Sequence, residues 1–528
     1  MLINIREQRE RCKRQNTHAN RKRREQSARR RQRIQQRLDK TKLGKGDKPA
    51  LTASNIHYEL SDRSRGISYG GIGVLHKLAR QIGLIEAIDR KLHLFKKHMP
   101  YHESDHVLNF AYNSLCDGDR LQDMELRRND EVFLDALGAK SIPDPTTAGD
   151  FCRRFGEHHI NTLQDVYDEV RIGVWEKQPE EFFAEAILEG DGTLVETYGE
   201  CKQGMDISYK KTWGYHPLTV TLANTGEVMR IVNRSGNRPS HEGAAAEFDK
   251  AIATCFAGGF KRVLLRGDTD FSQTKYLDGW DDDGRIRFHF GYDARPNLVK
   301  RAESLPEKSW RQLQRPPRYE VKTKPRRRPE NVKDRKVRER KFTTLRLQSE
   351  EVAEFDYRPS ACRKVYRMIV LRKNISKEKG EVTLFGDDIR YFFYITNDRV
   401  SSAEEIVYSA NDRCNQENLL SQLHSGVRAL HAPVNNLLSN WAYMVMTALA
   451  WNLKAWWALT LPEKPGRWQQ RHRQQKRWVL KIEFKTFVNA FMKLPCQIIR
   501  SGRRIVYRLL SWNEHQPIFF RLADELGC

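Results

Sequence analysis

The sequence predicts a mixed α/β fold with a helical N-terminal domain, and two observations carry that prediction. Up to about residue 180, apolar residues recur at three-to-four spacing in GVLHKLARQIGLIEAIDRKL, DHVLNFAYNSLCDG and TLQDVYDEVRIGVW, the period of amphipathic helices. At about residue 183 the period changes. FAEAILEGDGT, YHPLTVTLANTGEVMRIVNRSGN and FKRVLLRGDTDF are β-branched or alternating runs closed by Gly, Asn or Asp, which read as strands. The Ala-rich SHEGAAAEFDKAIATCF between the second and third reads as a helix, with Ser240 as its expected N-cap.

Charge then divides the chain. Of a net +25, residues 1–48 carry +13, residues 315–346 carry +10 and residues 462–508 carry +11, leaving −9 for everything else. Basic segments of that size around a mildly acidic body point to a polyanionic partner, above all nucleic acid. Residues 1–50 form an Arg/Gln-rich arm, expected to be disordered or conditionally helical. Residues 51–180 form the helical region. Within it IPDPTTAGDFCRRF is read as Pro punctuation, a Thr cap and a further helix. Residues 181–284 open the sheet. Residues 285–388 hold further strands (RIRFHFGYD, KFTTLRLQ, KVYRMIVLRK), split by a basic loop at 315–341. RYFFYITN and a helical stretch occupy 389–460, and a basic region occupies 461–528.

Several classes are excluded or disfavoured. The nine cysteines are irregularly spaced with no C-x-x-C, which indicates neither a disulfide framework nor a structural zinc site and fits a reducing cytoplasm. The start, MLINIREQRERCKRQ, lacks the apolar stretch of a signal peptide. The apolar run from Trp441 is broken by Asn452 and Lys454, short of the roughly 20 residues a membrane span needs.

The informative acids sit at strand ends. Asp191 closes an apolar strand in LEGDGT, Asp268 closes VLLRGDTDF, and Glu417 lies in the helical DRCNQENLLSQL. Carboxylates at the ends of neighbouring strands, met by a third from a helix, make an acidic pocket that calls for cations. Two metal ions in such a pocket activate water and stabilise a leaving oxygen in phosphodiester chemistry. Ordinary turn chemistry also places Asp at strand ends, and Glu189 and Asp270 compete locally for the same roles.

With those motifs in place, the chain resembles the DDE-type transposases of bacterial insertion sequences, in the group with a β-rich insertion and a Tyr-Arg-Glu-Lys signature. The resemblance lies in LEGDGT, YHPL, TGEV, RSGN, LLRGDTDF, YFFYITN and Arg413-x-x-x-Glu417, with the upstream DHVLNFAYNSLCDGDRLQDMELRRND and DFCRRF. It implies an RNase H-like mixed sheet interrupted by the β insertion, with Asp191, Asp268 and Glu417 as catalytic and metal-holding residues. It further implies two Mg²⁺ ions, replaceable by Mn²⁺, and cleavage at the element's ends. The freed 3′-OH then joins target DNA, with no nucleotide cofactor. Its implied partners are double-stranded DNA (terminal inverted repeats and target) and a second copy in a synaptic dimer, in a bacterial cytoplasm at the nucleoid. Arg413 matches the signature Arg. Ala410 stands where the signature Tyr is expected, with Tyr408 nearby, and His424 stands where the Lys is expected. These departures keep open a catalytically inactive or domesticated DNA-binding descendant. Trp310, the only Trp between 281 and 400, is read either as a base-stacking residue or as packing within the insertion.

One motif points elsewhere. His102-Glu103-Ser104-Asp105-His106 has the H-E-x-x-H spacing of zinc metalloproteases, with His98 nearby. It follows Pro100 and straddles an expected helix start, with Ser104 or Asp105 as cap. Two His in a first turn need not share a face. Gly70-Gly71-Ile72-Gly73 lacks the further glycine of a dinucleotide fingerprint, and no G-K-[ST] phosphate loop occurs.

Overall fold

A computed structural model of the protein describes residues 21–40, 53–58, 65–96, 100–315, 330–379, 382–383, 388–501 and 504–528. Residues 1–20 and 41–50 of the arm, residues 316–329 of the basic loop and His98 lie outside the described residues. The chain divides into two compact units. One draws on residues 1–174, 425–429 and 445–528, the other on residues 175–424 and 430–444.

The second unit is built on a ten-stranded mixed sheet. Its strands are β1 (Ala186–Gly192), β2 (Leu218–Leu222), β3 (Glu227–Val232), β4 (Val263–Gly267), β5 (Ile286–Tyr292), β6 (Arg311–Gln312), β7 (Thr343–Tyr357), β8 (Tyr366–Lys379), β9 (Val382–Thr383) and β10 (Asp388–Thr396). The order is β6-β7-β8-β10-β5-β4-β1-β2-β3, with β9 paired to β8. β1 runs parallel to β4 and β4 parallel to β5, whereas β1–β2, β2–β3 and β5–β10 are antiparallel. Strands β2 and β4 are buried along their whole length, as expected where both sheet faces are covered.

The pleat sorts β1 onto two faces. Gly190 faces the helix Ala244–Ala257, where a Cβ would come within 2.7 Å of the Phe248 ring and 2.9 Å of Phe271. Phe248 also packs edge-on to Trp280 of the helix Thr274–Asp282. Glu189 and Asp191 face the opposite side, where the helices Ala403–Asn411 and Cys414–Ser421 lie. The strongly basic stretch 315–341 is not wholly a loop. Val332–Glu339 is a helix, begun by Asn331, whose side chain accepts from the Lys333 and Asp334 amides.

The first unit is mainly helical, with a small sheet formed by Gly66–Ile67, Cys496–Ser501 and Arg504–Leu509. Its core is aromatic: Trp457 packs on Phe487 and Phe491. In the arm, residues 21–40 are helical, one of the two states its composition allows. Arg and Gln are good helix formers, and this helix has a docking surface. Arg23 pairs with Asp524 at 2.5 Å and lies over the Phe520 ring, Arg30 donates to the Leu509 and Ser511 carbonyls, and Arg31 lies over Trp512.

Three helix starts also differ. Pro145–Arg153 is capped by Asp144, which accepts from the Thr147 amide and hydroxyl, not by a Thr. Ala244–Ala257 begins after Gly243, at φ 77°, four residues beyond Ser240. Glu103–Leu115 begins at His102, with Asp105 reaching back to the His102 amide at 2.9 Å. In each case more than one residue able to cap lies within a turn, and tertiary packing selects among them.

One buried cation gives a test of this core. Lys454 is 1% exposed; it donates to the Leu480 carbonyl at 2.8 Å and lies over Trp451. Burial pulls its pKa down to about 7. The unfolded chain therefore holds that proton up to about pH 10, while the folded chain releases it near 7. Stability should rise with pH across that window, and Lys454→Met should flatten the rise in chemical denaturation measured at several pH values.

Candidate active site

Asp191 sits at the end of β1, directly opposite Thr219 of β2, and its Oδ1 accepts from the Gly192 amide at 2.8 Å. Asp268 follows β4 and caps a short 3₁₀ turn by accepting from the Asp270 amide at 3.0 Å. Because β1 and β4 are parallel neighbours, both acids leave the same edge of the sheet. Gly291 on β5 allows this turn to sit close: a Cβ there would lie 2.9 Å from the Thr269 amide and 3.1 Å from the Asp268 carbonyl carbon.

Glu417 arrives on the helix Cys414–Ser421, and Arg413 at the start of that helix joins the three acids. Its guanidinium lies 3.4 Å from Asp191, 3.9 Å from Asp268 and 3.8 Å from Glu417. Exposure is graded across the cluster: the side chains are 14%, 33% and 61% accessible respectively. Burial raises the Asp191 pKa to about 6, the Arg413 charge only partly opposing it, and burial also raises Asp268. A single cation against three carboxylates, two of them desolvated, leaves an oxygen-rich pocket short of positive charge.

That arrangement fits a divalent ion of the Mg²⁺ type, which takes hard oxygen ligands. Among the described residues, no three His, Cys, Asp or Glu side chains are already gathered into a metal-holding group; the acids converge on Arg413 instead.

Beneath the cluster lies a buried ion pair that sequence reasoning missed. Arg266 of β4 meets Glu189 of β1 at 2.5 Å, the two being 5% and 2% exposed. Arg266 also donates to the Ser409 carbonyl at 2.8 Å, while Gln416 donates to the Glu189 carbonyl at 2.9 Å. Both helices that lead to Arg413 and Glu417 are thereby tied to the two strands that carry the aspartates. The Arg in VLLRGDTDF was the available signal, since alternation places it on the same face as Glu189 and Asp191.

The remaining expected residues are placed as follows. Asp270 is exposed and serves Asp268 through its amide. Tyr408 donates its hydroxyl to the Gln314 carbonyl and packs on the Leu313, Val352 and Ile369 cluster. His424 is exposed within the π-helical turn Gln422–Gly426, its ring 4.7 Å from that of His431. Trp310 is 9% exposed, with the Arg372 guanidinium 4.3 Å above its ring.

The H-E-x-x-H motif serves helix geometry. His102 has an extended backbone before the helix begins, and Glu103 accepts from the Leu94 and Phe95 amides. His106 is stacked on Phe151 at 4.2 Å, and burial lowers its pKa to about 4.

The family model for the transposase DDE domain group 1 matches residues 62–527. The chain belongs to that family of DDE-type transposases. Among solved structures, a cryo-EM structure of the piggyBac transposase synaptic complex with hairpin DNA is weakly similar. The TM-score is 0.34 and the identity 9%, over 81% of this chain and 83% of that one; a likeness that slight fixes neither fold nor function. No curated protein sequence matches. No described helix is long and apolar enough to cross a membrane.

The ion pair yields a second test. Arg266→Met leaves Glu189 buried without a partner and should cost about 3–5 kcal/mol of stability. The double variant Arg266→Met/Glu189→Met should recover most of that loss in urea denaturation, because it removes both charges.

Proposed function

We propose that this protein is a DNA transposase that cuts at the ends of an insertion sequence and joins the freed 3′-OH ends to target DNA, with Asp191, Asp268 and Glu417 as its catalytic residues. The observation that carries the reading is the convergence of those three carboxylates on one guanidinium, from two adjacent parallel strands and one helix. The β3-β2-β1-β4-β5 order with antiparallel β2 supports an RNase H-like core for the sheet. The strands β6 to β9 then correspond to its β-rich insertion, β10 to the second part of the core, residues 51–180 to a DNA-binding region and residues 461–528 to a basic flank.

Asp191, Asp268 and Glu417 would hold the divalent ions, two Mg²⁺ or Mn²⁺, which supply activation of water and stabilisation of the leaving oxygen. The chain's own residues do the positioning. Glu189–Arg266 holds both strand ends and the Ala403–Asn411 helix in register, and Gln416 fixes the helix of Glu417. Arg413, among the three carboxylates, would meet the phosphate of the DNA strand. His424, on an exposed turn after the same helix, stands where the family's signature Lys would help in that contact and would do so when protonated. The partner is double-stranded DNA at the terminal repeats and target, engaged by a homodimer.

A second reading, a DNA-binding descendant without catalysis, is favoured by Ala410 and His424 at signature positions. Mg²⁺-dependent nicking of a supercoiled plasmid bearing the element's ends separates the two. On the catalytic reading, Asp191→Ala should bind end DNA like the parent yet nick and join none of it; strand cleavage retained in that variant rules Asp191 out.

A further inference from the structure

Immediately after Asp191 the chain leaves the large sheet and returns to it at β2, building a small three-stranded sheet on the way. Val195–Glu196 pairs with Trp213–Tyr215, which pairs with Asp206–Ile207. The last two strands form a hairpin that the mechanism above does not use. Its tip is closed by Ser208 and Thr212, through Ser208 N–H to the Thr212 carbonyl at 2.8 Å and a hydroxyl–hydroxyl contact at 2.8 Å. The loop between them is Tyr209-Lys210-Lys211, with Lys211 in the left-handed region at φ 62°, as a three-residue hairpin loop requires at that position.

What this hairpin displays is unusual for a surface. Tyr209 is 77% exposed, and Trp213 stands 52% exposed beside its cross-strand partner Ile207. Lys210 and Lys211 are exposed with Tyr209, the Lys210 ammonium lying 5.6 Å from its ring. Tyr198 is also exposed, although its hydroxyl is engaged by Glu196 at 3.3 Å. The acids Glu196 and Glu200 lie on the preceding segment, and Asp206 at the stem is held by Asn237 at 2.6 Å.

The base, by contrast, is tightly fixed. A Cβ on Gly236 would meet the Asp206 and Gly214 carbonyls at 2.4 and 2.6 Å, Tyr215 donates to the Gln203 carbonyl at 2.8 Å, and Lys202 donates to the Val434 carbonyl at 3.0 Å. The root is the site itself, since Thr193 N–H bonds the Pro217 carbonyl and Thr219 stands opposite Asp191. At roughly 3.3 Å per residue, Trp213 lies at most about 20 Å from that register position. About six nucleotides of one strand at the stacked duplex rise of 3.4 Å cover the same distance, and fewer of an extended strand.

We propose that the 206–213 hairpin is a DNA finger. Tyr209 and Trp213 stack on unpaired bases of the strand leaving the Asp191–Asp268–Glu417 site, and Lys210 and Lys211 hold its phosphates. Exposed rings interleaved with ammonium groups on a rigid support are the chemistry that binds single-stranded nucleic acid. The occupant is set by the lysines at the tip and by continuity with the carboxylate site, and the proposal rests on the transposase reading above.

The test uses the full chain and two probes: a blunt duplex, and the same duplex with a short single-stranded tail carrying a fluorescent adenine analogue. The parent should prefer the tailed probe and quench its fluorescence. Tyr209→Ala should lower the tailed-to-blunt affinity ratio about tenfold, within what one stacked base contributes, and abolish the quench without changing the melting temperature. Lys211→Gly suits the left-handed backbone and so keeps the hairpin intact, yet should reduce the slope of log affinity against log salt by about one. An unchanged ratio in both Tyr209→Ala and Trp213→Ala overturns the finger. If the parent still nicks plasmid with Mg²⁺ in that case, the finger alone has failed; a parent that binds neither probe takes the DNA reading down with it.

Discussion

The site depends on one buried guanidinium. Arg266 lies beneath the carboxylates and is bound on one side to Glu189 and on the other to the Ser409 carbonyl. Taking a charge out of water is costly unless it is paired and hydrogen-bonded, so the strands β1 and β4 and the Ala403–Asn411 helix have little freedom to separate. Gln416 extends the same constraint to the next helix. Positions of Asp191, Asp268, Arg413 and Glu417 follow from that knot, as does the graded exposure that leaves Asp191 desolvated and Glu417 in water.

The surrounding packing is asymmetric for the same reason. On the face of Gly190, aromatic rings from the helix Ala244–Ala257 and the 3₁₀ turn after Asp268 fill the space a side chain would take. The other face of the sheet carries the ionic groups. His289 of β5, beside Arg266 in register, bonds the Ser409 hydroxyl at 2.9 Å, and Arg287 pairs with Asp398 at 2.7 Å. A sheet with one greasy and one ionic face can bury both because each is roofed by helices, and the ionic roof is the one that bears on the chemistry.

Much of this was legible in the sequence, for identifiable reasons. The α/β change of period near residue 183 survives because strand alternation and buried runs are set by the core itself. Asp191 and Asp268 stand out because a glycine turn follows or precedes each at the end of an apolar run. Other features depend on contacts between distant segments. Glu189 looks like a competitor of Asp191 until Arg266 is seen to occupy it. Arg413 stands out in the sequence as the signature Arg, but its place among three acids from separate segments appears only in the fold. The helix at 21–40 needed the aromatic and carbonyl partners of the C-terminal segment, Phe520, Trp512 and Leu509, to become visible. Caps misled for a local reason: Asp144, Gly243 and His102 each compete with a second capping residue within a turn.

The placement of the two aspartates at the ends of adjacent hydrogen-bonded strands has a further consequence. Up to Glu189 and Arg266 those strands are paired, at the inter-strand spacing of about 4.8 Å, a length fixed by peptide hydrogen bonds and not by side-chain choice. The sheet therefore acts as a gauge that mutation elsewhere cannot reset without unpairing strands. The third acid is set differently, on a helix that is short, partly solvated, held to β1 through Gln416 and followed by a turn of π-helix. Two jaws of the vice are set by the sheet, and the third by a single side-chain bond from Gln416.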